Sequence, residues 1–372
     1  VDPISHTLVG AALAQTRLGR LGALPGRLAA ATLIVGANLP DIDVACYFES
    51  SDFALAHRRG WTHGILAMAV LPLLLAGAAR AWDRWRRRRS NPSSPAPPAR
   101  FPPLLALAAV AVWSHPLLDR LHTYGVRLLA PFDWTWFYGD AVYIVDPWLW
   151  LLLGGPLFLA HSGSRRALAN WGALGLLATW ALLGRAPEPA RWAWIAGLAL
   201  LIALRWAGAV PRSRAAAERL GTAALAAAAL YAGALVASQH AARAQVLQSL
   251  AGPAELPVQA LMAGPEPADP FHRQLVVQTR EGYRLGRLSW LAEPKVALDP
   301  RILPRPELTP ATRAALDAPS VQGFVGWMRF PTIEADQDDG GTTVHLIDLR
   351  YARRRNAGFG TARVELGPNL AN

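Results

Sequence analysis

Among 372 residues the chain has one cysteine, Cys46, and one lysine, Lys295. A lone cysteine excludes an intramolecular disulfide and a metal site built from thiolates, and leaves Cys46 as a small apolar filler. The scarcity of lysine means something else. Every other basic residue, of 37 in total, is arginine, a ratio that points to codon bias across a genome. The net charge of +11 is therefore no argument for a nucleic-acid partner, and no RNA- or DNA-binding motif supplies one. The opening stretch VDPISHTLVG has neither a basic n-region nor a cleavage site, so it is not read as a removable signal peptide.

Charge is scarce as well, 17% against 52% hydrophobic residues, an apolar share above that of ordinary soluble domains. The surplus lies in runs at 64–82, 101–119, 147–160, 167–184, 192–210 and 220–238, several near the ~20 residues that cross a bilayer. Two shorter apolar segments, 4–18 and 28–40, precede them. From about residue 240 the pattern changes to Pro-rich connections and alternating strands. RQLVVQTREGYRLGRLSWL reads as a hairpin turning at Glu281 and Gly282, and TTVHLIDLRY as a strand after the turn DQDDGG. His345, Asp348 and Arg350 are expected on one solvated strand face. The expected fold is thus an α-helical multi-pass membrane domain followed by a small α+β or mainly β soluble domain. Its expected divisions are a metal-site helical domain (1–146), a transmembrane scaffold (147–240) and an extracytoplasmic domain (241–372).

Arginines gather at Arg17, Arg20 and Arg27, between Arg80 and Arg100, at Arg165 and Arg166, and from Arg205 to Arg219. That is 16 in all, against 6 in the alternate connections. The positive-inside rule makes the richer set cytoplasmic. Tracing the runs from there brings His6, Asp41, Asp43, His57, His63, His115, Asp119 and His122 to the outer face, with the C-terminal domain on the same side.

The spacing of these residues suits metal binding. His115 and Asp119 lie one helical turn apart in WSHPLLDRLHTYG, and His122 is three further on, so all three can share a helix face. Pro116 disfavours helix at His115 and predicts a break there. Asp41 and Asp43 share a side only if PDID is extended. Imidazoles and carboxylates without thiolate suit zinc, manganese or iron, whereas magnesium and calcium prefer oxygen. Asp43 or His122 alone could be a helix-packing or capping group, and Arg58 and Arg59 could be interfacial anchors. Eight ionisable groups at one membrane face are costly to keep without a function. In a phosphoester hydrolase Arg58 or Arg59 would pair the phosphate. Asp146, before Pro147, reads as a helix N-cap as readily as a site residue.

DPISHTLVG, NLPDID, HRRGWTHG and SHPLLDRLHTYG together resemble the YdjM family of LexA-regulated bacterial inner-membrane proteins, closely over residues 1 to 150. The tail segments FVGWMRFP and VHLIDLRY look like those of longer members. The resemblance implies a metal-dependent hydrolase whose substrate is not established. The order His, Asp, His, then His-x-x-x-Asp is more distantly similar to zinc-dependent phospholipase C and the S1/P1 nucleases. Their N-terminal Trp and further His-x-x-x-Glu have no counterpart here, so one or two metals are expected rather than three.

The expected site therefore has His6, Asp41, His57, His63, His115 and Asp119 as ligands of one or two divalent ions, zinc first and manganese second. Asp43, Arg58 and His122 are the expected catalytic groups. The expected function is hydrolysis of a phosphoester in a lipid or lipid-linked substrate at the outer face of the inner membrane. The runner-up is a non-catalytic metal-binding protein of a stress response. A transporter would need polar groups near mid-membrane, and here they cluster at run ends.

Overall fold

The computed structural model describes residues 1–90, 98–251, 257–338, 341–355 and 358–367. Its helices are α1 (Pro3–Gln15), α2 (Gly26–Asn38), α3 (Ser51–His57), α4 (Ile65–Ser90), α5 (Phe101–Asp119), α6 (Pro147–His161), α7 (Arg165–Leu183), α8 (Glu188–Trp206), α9 (Arg214–Leu250), α10 (Pro310–Asp317) and α11 (Gln322–Trp327). The strands are β1 (Ala260–Glu266), β2 (Asp269–Gln278), β3 (Gly282–Ser289), β4 (Val296–Pro304), β5 (Pro331–Asp338), β6 (Gly341–Asp348) and β7 (Thr361–Leu366). The expected fold class holds: a helical half is followed by two antiparallel sheets, ordered β1-β2-β3-β4 and β5-β6-β7.

Four helical stretches among the described residues are long and apolar enough to cross a membrane: Gly26–Phe48, Ile65–Arg89, Phe101–Asp119 and Arg214–Leu250. This differs from the six runs read in the sequence. The run at 147–160 forms the shorter α6. Charged or polar residues near the ends of α7 (Arg165, Arg166, Asn170) and α8 (Glu188, Arg191, Arg205) lower the hydropathy of those two. In the other direction, the segment at 28–40 gains length because α2 continues into a three-ten helix, Leu39–Phe48. PDID is therefore wound rather than extended, and successive three-ten residues turn by about a third of a circle, so Asp41 and Asp43 do not share a side.

The chain divides into two compact units. The first comprises Val1–Ile42, Arg59–Ala237 and Glu266–Pro270. Its α1 starts where Asp2 accepts hydrogen bonds from the backbone nitrogens of Ile4 and Ser5 with Pro3 at the first helical position. α1 packs on α2, α2 on α5, and α4 on α5. Small residues make these approaches close. A Cβ on Gly10 would lie 2.7 Å from the Leu33 carbonyl oxygen, and one on Gly36 2.7 Å from the Ala111 Cβ. Ala29, Leu33, Leu104, Leu107 and Ala108 fill the space behind them. Val70, Leu73 and Leu74 of α4 remain exposed, as a lipid-facing helix requires.

The second unit comprises Asp43–Arg58, Ser238–Pro265 and Phe271–Asn372. The hairpin at Glu281 and Gly282 is present, with β2 and β3 antiparallel and Gln278 opposite Tyr283. α3 packs on α11, where the Asp52 carboxylate accepts from the Gly323 and Phe324 nitrogens at 3.0 and 2.8 Å. The turn DQDDGG includes Asp339 and Gly340, which lie outside the described residues. His345, Asp348 and Arg350 are buried, not solvated. Residues three apart in a strand point to opposite faces, and Arg350, beyond the end of β6, folds back onto Asp348 at 2.7 Å and over the Trp327 ring.

Replacing Gly10 by Val should destabilise the first unit by about 1–3 kcal/mol, because the backbone of α2 cannot yield as a flexible side chain would. Thermal unfolding of the detergent-solubilised chain reads this as a lowered Tm; an unchanged Tm would refute the close α1–α2 approach.

Candidate metal centre

Four helix ends meet in the first unit: the start of α1, the exit from α2, the entry to α4 and the last turn of α5. Each carries one or more of the polar residues singled out above. The arginines sit at the opposite ends of the same helices, at Arg17, Arg27, Arg84 to Arg89 and Arg100. Arginine is thus concentrated at the ends away from the donors, with Arg59 and Arg120 the exceptions.

Asp41, His63, His115 and Asp119 come together, each offering one donor atom with all four atoms within 4.8 Å of one another. The two imidazole Nε2 atoms are 3.2 Å apart. Asp119 Oδ2 is 3.5 Å from each of them. Asp41 Oδ1 is 3.8 Å from His63 Nε2 and 3.7 Å from His115 Nε2. Ligands ~2.0–2.1 Å from a tetrahedral metal stand about 3.3 Å from one another, so these edges have the right length. His63, His115 and Asp119 are fully buried, and the Asp41 side chain retains 17% exposure.

The donors are aimed as well as gathered. His115 Nδ1 lies 2.7 Å from the Ala37 carbonyl oxygen, which can only accept, so Nδ1 carries the hydrogen and Nε2 of the neutral ring presents its lone pair. His63 Nδ1 is held by Thr62 Oγ1 at 2.9 Å. Two imidazole nitrogens facing each other beside two carboxylates repel unless protons or a cation lie between them. Asp119 Oδ2, buried, has no hydrogen bond of good geometry. These observations fit a divalent metal held by two imidazoles and two carboxylates.

Two further residues support the group. His6 stacks on His115 with ring centroids 3.7 Å apart and puts Nε2 3.3 Å from Asp119 Oδ1. Arg59 is buried, places Nη2 3.2 Å from Asp119 Oδ2 and lies over the Tyr124 ring. Its backbone is left-handed, with φ of 54°, an uncommon conformation for a residue with a side chain. The Val1 nitrogen also contacts Asp119.

The other expected site residues are placed differently. His57 ends α3 in the second unit, stacked on Phe53 with Nδ1 3.0 Å from the Phe53 carbonyl oxygen. Asp43 and Arg58 belong to that unit too and form an ion pair of 3.0 Å. His122 follows the end of α5 and accepts from the Tyr124 nitrogen through Nδ1 at 2.9 Å. Pro116 does not break α5 at His115. It removes one backbone bond in the last turn, and the helix runs on to Asp119. Asp146 caps α6, accepting from the Trp148 and Leu149 nitrogens. The sequence carried no sign of the Ala37 carbonyl, a backbone group; Arg59 was visible in HRRG but not separable from Arg58.

The profile of the YdjM inner membrane protein family matches residues 1–190. The chain belongs to this family. The match contains every residue of the four-donor group and the helices that carry them, so the centre lies in the family's own region. No curated protein and no solved structure shows significant similarity to the chain.

Arg59→Met should separate the roles of cation and guanidinium. Without metal, a buried carboxylate loses its positive partner, a change on the order of 3–5 kcal/mol. With metal bound, a second positive charge remains and the loss is smaller. Tm measured in chelator and in added zinc should therefore fall further in chelator; equal falls would mean that no metal ion neighbours Asp119.

Proposed function

We propose that this YdjM-family chain is a membrane-bound metal-dependent hydrolase whose metal is held by Asp41, His63, His115 and Asp119. The observation that carries the reading is the asymmetry of the group: three donors are sealed, while Asp41 reaches solvent. A site closed on three sides and open on the fourth can hold an ion and still admit a substrate oxygen. A divalent ion, zinc or manganese by its ligand set, supplies Lewis-acid polarisation of that oxygen and acidifies a water.

The chain's own residues do the rest. The Ala37 carbonyl keeps His115 in one tautomer, Arg59 fixes the Asp119 carboxylate, and His6 holds its other oxygen. His122, in the same unit as the four donors, serves as the proton carrier. The substrate class is a phosphoester of a lipid or lipid-linked molecule. Arginine segregation supports an outer-face site, since most of the arginines occupy the helix ends opposite the donors.

One observation favours the runner-up. Four protein donors at tetrahedral spacing resemble a structural site with no free position, and metal there would hold the helix ends together without turnover.

Head-group release from phospholipids in mixed micelles distinguishes the two. Metal-loaded protein should hydrolyse at least one phosphodiester or phosphomonoester. Chelation should stop the reaction, and His122→Ala should slow it by about 10²-fold or more, as for a lost proton-transfer group, while retaining metal. Metal-replete protein that hydrolyses none of them supports the structural role.

A further inference from the structure

Ile4 and Leu8, one turn apart on α1, point away from His6, because residues two apart on a helix differ by about 200°. They form one edge of a groove of 440 Å³ walled by α6, α7 and α8, within the size range of ligand sites. Its walls are apolar, including Trp150, Phe158, Trp171, Trp194, Leu198 and Ile202. Along α8 from Trp194 to Trp206 it runs about 18 Å at the helical rise.

Two features show that the groove is held open. Gly172 and Gly175 line it from α7, and a Cβ on either would meet nothing within 4 Å. Glycine inside a helix costs about 1 kcal/mol relative to alanine, and no close contact requires it at these positions. Trp150, on the facing wall, is fixed by its indole N–H, which donates to Asp2 and to Ser5 Oγ at 3.1 Å.

The groove is not uniformly apolar. Arg205 lines one end, where its Nε donates to Ser162 Oγ at 2.9 Å and its Nη2 to the Ser162 carbonyl at 3.3 Å. Among the described residues no carboxylate pairs with it, and Nη1 has no partner. Arg165 and Arg166 begin α7 beside this end, next to the loop that holds Ser162. A long apolar groove ending in an unbalanced guanidinium matches a molecule with a hydrocarbon chain and an anionic head. A neutral amphiphile would leave the charge of Arg205 unbalanced, and free phosphate would leave the groove unfilled.

We infer that the α6–α8 groove binds an acyl chain of one anionic phospholipid, whose phosphate sits on Arg205. This site is separate from the metal centre, and the inference does not rest on hydrolysis.

The test uses the full chain in phosphatidylcholine nanodiscs with a trace of phosphatidylglycerol carrying a diazirine in its acyl chain. Cross-links should map to α7 and α8 peptides and be suppressed by unlabelled phosphatidylglycerol but not by further phosphatidylcholine. Arg205→Gln should reduce labelling about tenfold, the loss of one charge-assisted contact. Gly172→Leu with Gly175→Leu should abolish it by filling the groove, with metal content unchanged as the check on folding. Equal suppression by both lipids together with undiminished labelling of Arg205→Gln would overturn the anionic lipid. Labelling spread evenly over the helices, or undiminished in the folded double-leucine variant, would overturn the groove. Should the double variant not fold, Arg205→Gln and the competition decide.

Discussion

Asp119 is a fully buried carboxylate at the carboxyl end of a helix. Both facts are unfavourable: burial strips its hydration, and the negative pole of α5 points at it. Such a group persists only where positive charge or aimed donors surround it, and the nearby structure supplies them. The left-handed turn at Arg59 brings a guanidinium to one oxygen, α1 brings His6 to the other, and His63 and His115 flank the first. A divalent ion between the two imidazoles and the two carboxylates would complete the compensation.

That requirement explains how closely the surrounding helices must fit. His6 reaches Asp119 because α1 lies against α2 at Gly10, and Asp41 reaches His63 and His115 because α2 continues as a three-ten helix past Asn38. The Ala37 carbonyl that orients His115 comes from that same last turn of α2. Four helix ends are thus tied to one cluster of imidazoles and carboxylates.

Much of this was legible in the sequence, for reasons that differ from residue to residue. His115 and Asp119 are one turn apart on an apolar run, so their shared face followed from helical periodicity. Asp41 and His63 were reached by arginine counting, which orders helix ends without knowing packing. What could not be read was local winding. The three-ten turn separates Asp43 from Asp41, and a single positive φ decides that Arg59 rather than Arg58 faces Asp119. His57 illustrates the same limit, since a seven-residue helix held to α11 through Asp52, 271 residues from Gly323, places it in another unit, and nothing in its local spacing foretold that. In the C-terminal half, alternation revealed the β2–β3 hairpin but misjudged His345, Asp348 and Arg350, all of them buried, His345 between β5 and β7 and Arg350 folded back onto Asp348.

The most direct measurement is metal content by mass spectrometry of the detergent-purified chain beside His115→Ala and Asp119→Ala. The account predicts one tightly held divalent ion per chain, lost in both variants while Asp43→Ala keeps it. No stoichiometric metal in the wild type, even after reconstitution with zinc and manganese, would contradict it and leave the cluster as a proton-bridged network that joins four helix ends.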